Sequence, residues 1–103
     1  MAQIRFATFP VKDPTEKKDY SFDWSAELDK TGDTISTSAW EITGIGLTLS
    51  SSPAHSKDDK TTTAWFEAGT AGVTYVLVNR IVTTQGRTHE GSALLPCADA
   101  GAA

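Results

Sequence analysis

From Asp19 to Leu28 the chain reads DYSFDWSAEL. Tyr20, Phe22, Trp24, Ala26 and Leu28 fall on every second position, with Asp19, Ser21, Asp23, Ser25 and Glu27 between them. A period of two marks a strand with one face packed and the other wet; at 100° per residue the same set would scatter around a helix. The stretch therefore predicts one strand, with its aromatic row in a core and its acidic row in solvent.

The rest of the chain repeats that grammar. DKTGD (Asp29 to Asp33) is a turn, and TISTSAWEI follows as a strand or strand pair with Ile35, Trp40 and Ile42 inward. TGIGLTLSSS alternates at Leu47 and Leu49, and SSPAHSKDDK is a proline-broken loop. TTTAWFEA is β-branched and aromatic, hence a strand, with Trp65 assigned to the core. AGTAG turns into the longest β-run, VTYVLVNRIVTT; QGR makes a hairpin turn, and THEGSALLP is the last strand. Tyr75, Leu77, Asn79 and Ile81 share the inward parity of the long run, and buried Asn79 needs amide partners, expected on a loop backbone. Val76, Val78 and Val82 lie on the opposite parity. Two readings stand for them: valine at a partly covered sheet surface, or a subunit contact.

The fold class is all-β: about seven antiparallel strands, turn signals at intervals of about 8–12 residues, and an immunoglobulin-like β-sandwich. Residues 1–11 form an N-terminal arm or edge strand, 12–96 the sandwich and 97–103 a frayed tail. In the arm, Ile4, Phe6 and Phe9 are candidate protein contacts, able to add a strand to a partner's sheet. Val76 and Val78 join them as candidate contacts.

Composition narrows the function classes. At 103 residues the chain suffices for one core, and three Trp, four Phe and two Tyr can seed it. A net charge of −4 argues against a general nucleic-acid binder and against docking on an anionic membrane. Cys97 is the lone cysteine, so no internal disulfide is available. No apolar run is long enough to span a bilayer, and MAQIRFATFP lacks the layout of a signal peptide.

The search for reaction chemistry is negative. His55 and His89 have no second His or Cys at metal-ligand spacing, and KDDK lacks the ligand pattern of a calcium loop. There is no GxSxG elbow, and GTAG precedes a strand where a phosphate loop needs a helix. The expectation is a protein without catalytic residues, metal or cofactor. A carbohydrate-binding module would expose its aromatics, whereas the best aromatic row here is opposed by polar residues and so belongs to the core.

Several segments together resemble a family of small phage virion proteins, the fibre–tail adaptors. They are KDP, DYSFDWSAEL, GDTISTSAWEI, GLTL, TTTAWFEAGTAGVTY and NRIVTTQGRTHE, covering about residues 12 to 95. The resemblance implies an immunoglobulin-like fold, a place in the virion after synthesis in the bacterial host cytoplasm, and a structural role linking receptor-binding fibres to the tail. It implies protein partners in the particle (tail, fibre or capsid) and several copies of the chain. It makes Trp24, Trp40, Tyr75, Asn79 and Ile81 framework positions. Tyr20, Phe22, Leu28, Ile35, Trp65 and Leu77 complete the core read from periodicity. The chain departs from the family pattern at GSALL, where Ala93 stands in place of a bulky residue. A capsid decoration protein is the alternative structural role.

Overall fold

The alternating row that begins at Tyr20 stops being a strand before its period does. In a computed structural model, which describes residues 4–5 and 8–98, strand β2 is Lys18–Asp23 and a helical turn α1 follows at Ser25–Leu28. The Asp23 carboxylate ends the strand by accepting the Ser25 N–H (3.0 Å) and hydroxyl (2.5 Å), a side-chain turn that competes with sheet pairing. The Trp24 carbonyl then accepts the Leu28 N–H at 2.9 Å. Residues four apart share a helix face. Trp24 and Leu28 are therefore both buried, while Ala26, in the same alternating row, is exposed.

The remaining strands are β1 (Ile4–Arg5), β3 (Ile35–Thr43), β4 (Leu47–Leu49), β5 (Ser56–Lys57), β6 (Thr61–Ala68), β7 (Thr74–Thr83) and β8 (Thr88–Pro96). One sheet has the order β1-β8-β7-β3 and the other β2-β6-β4, with β5 also paired to β6. Third, seventh and eighth strands in one layer facing second, sixth and fourth in the other is the CFG-against-BED division of immunoglobulin sandwiches. The pairings are antiparallel with one correction: β1 runs parallel to β8, Ile4 opposite Gly91. A parallel bridge between Lys12 and Cys97 continues that seam.

Register decides which residues meet in the core. Tyr20 lies opposite Ala64 and Phe22 opposite Thr62. Directly paired residues share a face, so inward Tyr20 and Phe22 bring Thr62 and Ala64, and with them Phe66, to the same side. Trp65, expected in the core, is instead half-buried on the outer face beside Asp19. Phe66 is the buried aromatic of β6.

An aromatic cluster fills the space between the layers. Phe22 lies 5.0 Å from Trp40, and Trp40 meets Phe66 edge-on at 5.8 Å. Such ring pairs add about 0.5–1.5 kcal/mol each beyond the area they bury. Phe9, expected as an exposed contact, closes the cluster with its ring 4.8 Å from Tyr20 and 5.9 Å from Phe22. The Phe9 N–H donates to the Leu94 carbonyl (2.9 Å). Phe6 and the Ile4 side chain lie outside the described residues.

Candidate interaction surfaces

Two polar networks fasten the core. Asn79 is fully buried on β7. Its Oδ1 accepts from Trp24 Nε1 (3.1 Å) and Thr62 Oγ1 (2.6 Å), and its Nδ2 donates to Ser38 Oγ and the Ala39 carbonyl, both at 2.9 Å. Its partners thus come from β6 and β3, one strand of each sheet, and from Trp24 ahead of α1, and not from a loop backbone. Trp24 Nε1 also lies 3.2 Å from Thr62 Oγ1.

The second network pins one end of the sandwich. The Asp33 carboxylate accepts from the Thr34 N–H (3.0 Å), the Thr84 hydroxyl (3.0 Å) and Arg87 Nη1 (3.2 Å). Burial pushes this carboxyl up; hydrogen bonds from Thr83, Thr34, Thr84 and Arg87 outweigh it and hold the group at about 2. Asp33 thereby ties the turn after α1 to the β7–β8 hairpin.

At the opposite end, Lys12 is wholly buried, and its ammonium donates to the carbonyls of Asp13 (3.0 Å) and Ala68 (2.5 Å). Cys97, placed by sequence at the start of a frayed tail, is 3% exposed, and its N–H donates to the Val73 carbonyl (2.9 Å). Burial pushes its thiol up, with the Lys12 charge opposing, so a thiolate is disfavoured at this position. Neither Lys12 nor Cys97 carried a periodic signal that could have placed it in the core.

Tyr20, Phe22, Trp24, Leu28, Ile35, Trp40, Tyr75, Leu77, Asn79 and Ile81 are all buried. Ala93 is buried too, opposite Leu77. Sequence reasoning missed Phe66, whose signal was the even parity it shares with Thr62 and Ala64, and Leu95, which shares the inward parity of Ala93. His89 lies 6.4 Å from the Trp24 ring and 3.9 Å from Glu27 Oε1. Among the described residues no group of three or more His, Cys, Asp or Glu is placed to hold a metal, and no helix is long and apolar enough to cross a membrane.

The outer surface carries further apolar and charged side chains. Val76 and Val78 lie half-buried on the outer face of β7, and Val82 is 37% exposed. Leu94 stands opposite Val76, and an Arg80–Glu90 ion pair (2.6 Å) crosses the same face. At the Lys12 end the connection from β3 to β4, which passes from one sheet to the other, projects Ile45, 90% exposed. Sequence reasoning passed over Ile45, because a lone apolar residue between glycines has no period.

The chain is thus a two-layer β-sandwich with an aromatic core between its sheets. The chain belongs to the podophage fibre–tail adaptor family: the family model described as Podophage GP4 fiber-tail adaptor protein gp77 matches residues 12–96. Among curated proteins none matches the chain. Of solved structures, a 2,6-sialyltransferase from Vibrionaceae Photobacterium sp. JT-ISH-224 is similar at a TM-score of 0.55 and 10% identity. That likeness covers 95% of this chain and 18% of the other, and shows a shared fold alone.

Proposed function

We propose that this chain is a non-enzymatic virion component that joins tail and receptor-binding fibre in a phage particle, several copies acting together. Family membership across residues 12–96 is the observation that carries the reading. The architecture supports it physically. A sandwich stitched by β7 to both neighbours and by Asn79 across its core is stiff, so it transmits position from one partner to the other. Repeated copies give avidity without one very tight contact. Recognition is by protein surfaces, with Val76 and Val78 on the outer face of β7 as partner contacts, and it requires no cofactor. Neither nucleic acid nor membrane is part of the reading. Synthesis is in the host bacterial cytoplasm, followed by incorporation into the virion.

Electron microscopy of particles carrying a labelled copy tests the proposal. Label at the tail–fibre junction, and loss of fibres when the chain is absent, is the expected result. Label spread over the capsid would establish a decoration role instead.

A further inference from the structure

The edge of a sheet leaves backbone N–H and C=O groups unpaired, and folds guard such edges with short strands, charges or covering loops. Of the strands that end the two sheets here, β1, β4 and β5 are two or three residues long, and β2 carries Lys18, Asp19 and Asp23. The exception is β3, nine residues from Ile35 to Thr43 with Glu41 as its only charge. It lies at the end of its sheet and pairs with β7 on one side alone.

Hydrogen bonds within the sandwich fix which backbone groups of β3 face outward. Asn79 Nδ2 reaches the Ala39 carbonyl at 2.9 Å, so that carbonyl points toward β7. Direction alternates along a strand. Ala39, Glu41 and Thr43 therefore bond toward β7, whereas Ser38, Trp40 and Ile42 turn N–H and C=O away from it. Ile35, in line with them across the register shift before Thr37, has the same outward direction, and its N–H donates to the Asp59 carbonyl (2.9 Å). That contact closes one end of the edge. Among the described residues no loop backbone bonds to Ser38, Trp40 or Ile42. The outer-face side chains between them, Ala39 and Glu41, are exposed.

We infer that the β3 edge pairs with the β3 edge of a second copy, antiparallel about Trp40, so that two sheets become one. Unpaired backbone groups in a row are complemented by another extended strand. Trp40 is the midpoint of the regular stretch, so Ser38 meets the second copy's Ile42 and Ile42 its Ser38, each with N–H and C=O toward the other. Charge selects a second copy over a strand of another protein. In this register each Glu41 stands opposite the second copy's Ala39, whose neighbour on β7 is Arg80. The small Ala39 side chain leaves Glu41 room to reach toward that guanidinium. A centre at Glu41 would set two carboxylates face to face, which opposes pairing. A centre at Ala39 would draw the register shift between Ile35 and Thr37 into the seam. Such pairing is independent of the chain's place in a particle.

The test is sedimentation equilibrium of the purified full-length protein, with amide hydrogen exchange followed by NMR at low and high concentration. A wild-type dimer is expected, in which the Ser38, Trp40 and Ile42 amides exchange more slowly than in the dilute monomer while those of Ala39 and Glu41 do not change. Ala39→Glu opposes the second copy's Glu41 and should weaken the dimer at least ~10-fold; Glu41→Lys added to Ala39→Glu should restore it. Asp19→Lys, on β2 of the other sheet, should dimerise as wild type. Ala39 and Glu41 are both exposed, so the variants should unfold thermally like the dilute wild type. A wild type that stays monomeric at millimolar concentration overturns the pairing, as does a dimer whose Ser38, Trp40 and Ile42 amides exchange as in the monomer. A dimer that withstands Ala39→Glu, or that the added Glu41→Lys fails to restore, overturns the register about Trp40. A monomer whose three amides are protected only by added tail or fibre protein overturns the second copy and gives the edge to a strand of that protein.

Discussion

Trp65 and Phe66 are adjacent aromatics with opposite fates, and the difference is a matter of pairing. Inward Tyr20 and Phe22 determine the parity of β6, so Phe66 fills the core and Trp65 covers the outer face. Phe66→Ala should cost about 3–5 kcal/mol in chemical unfolding. Trp65→Ala should cost about 1 kcal/mol or less; equal losses would mean that the register is wrong. Asp33 gives a second prediction, in pH. Its carboxyl is held at about 2 in the fold against an ordinary 3.8. A depressed carboxyl stabilises above its unfolded value and loses that contribution as pH falls toward the folded one. The melting temperature should therefore drop between about pH 4 and pH 2, and Asp33→Asn should remove part of that drop while lowering stability at neutral pH.

Elements in this fold owe their limits to local polar groups and their faces to neighbours. α1 exists because Asp23 turns the chain, and its Trp24 and Leu28 stay buried since an i, i+4 pair satisfies a helical turn and an alternating row alike. Strands β3, β6 and β7 and the start of α1 are joined across the core through Asn79, whose partners are Trp24, Thr62 and Ser38. Replacing Asn79 with Leu takes the acceptor from the Thr62 hydroxyl hydrogen and leaves the Trp24 N–H only its longer contact with Thr62 Oγ1, at about 1–3 kcal/mol for each buried group left unpaired. Thr62→Val added to Asn79→Leu should cost less than the sum of the two single changes in denaturant unfolding. Additive losses would show that the two side chains do not act as a unit.

At the scale of the whole molecule, the described residues ahead of β2 pack and pair with the sandwich. Phe9 lies on the aromatic cluster, Lys12 plugs the seam beside Cys97, and Ile4–Arg5 pairs with β8. Removal of residues 1–9 should lower the unfolding free energy by about 1–3 kcal/mol through loss of the Phe9 packing alone. A truncated chain as stable as the full one would show that this segment is only an arm. Polar groups tie both ends of the sandwich, Asp33 at one and Lys12 with the Tyr75 hydroxyl at the other.

Much of this was legible from residue order. The alternating rows through Tyr20 and Phe22 and through Tyr75, Leu77, Asn79 and Ile81 placed those side chains in a core between two sheets, because a period of two follows from strand geometry wherever one face meets water. The glycine and proline turns separated the strands for an equally local reason, the backbone angles those residues accept or refuse. Contacts between distant segments decided the rest. The parity of Trp65 depended on β2, the burial of Lys12 on a carbonyl 56 residues away, and the parallel seam on where the chain returns. The connection from β3 to β4 was placed only by the Tyr75 hydroxyl, 30 residues further on, which donates to the Ile45 carbonyl. No periodicity encodes such meetings, since they are set by how two sheets close over one core.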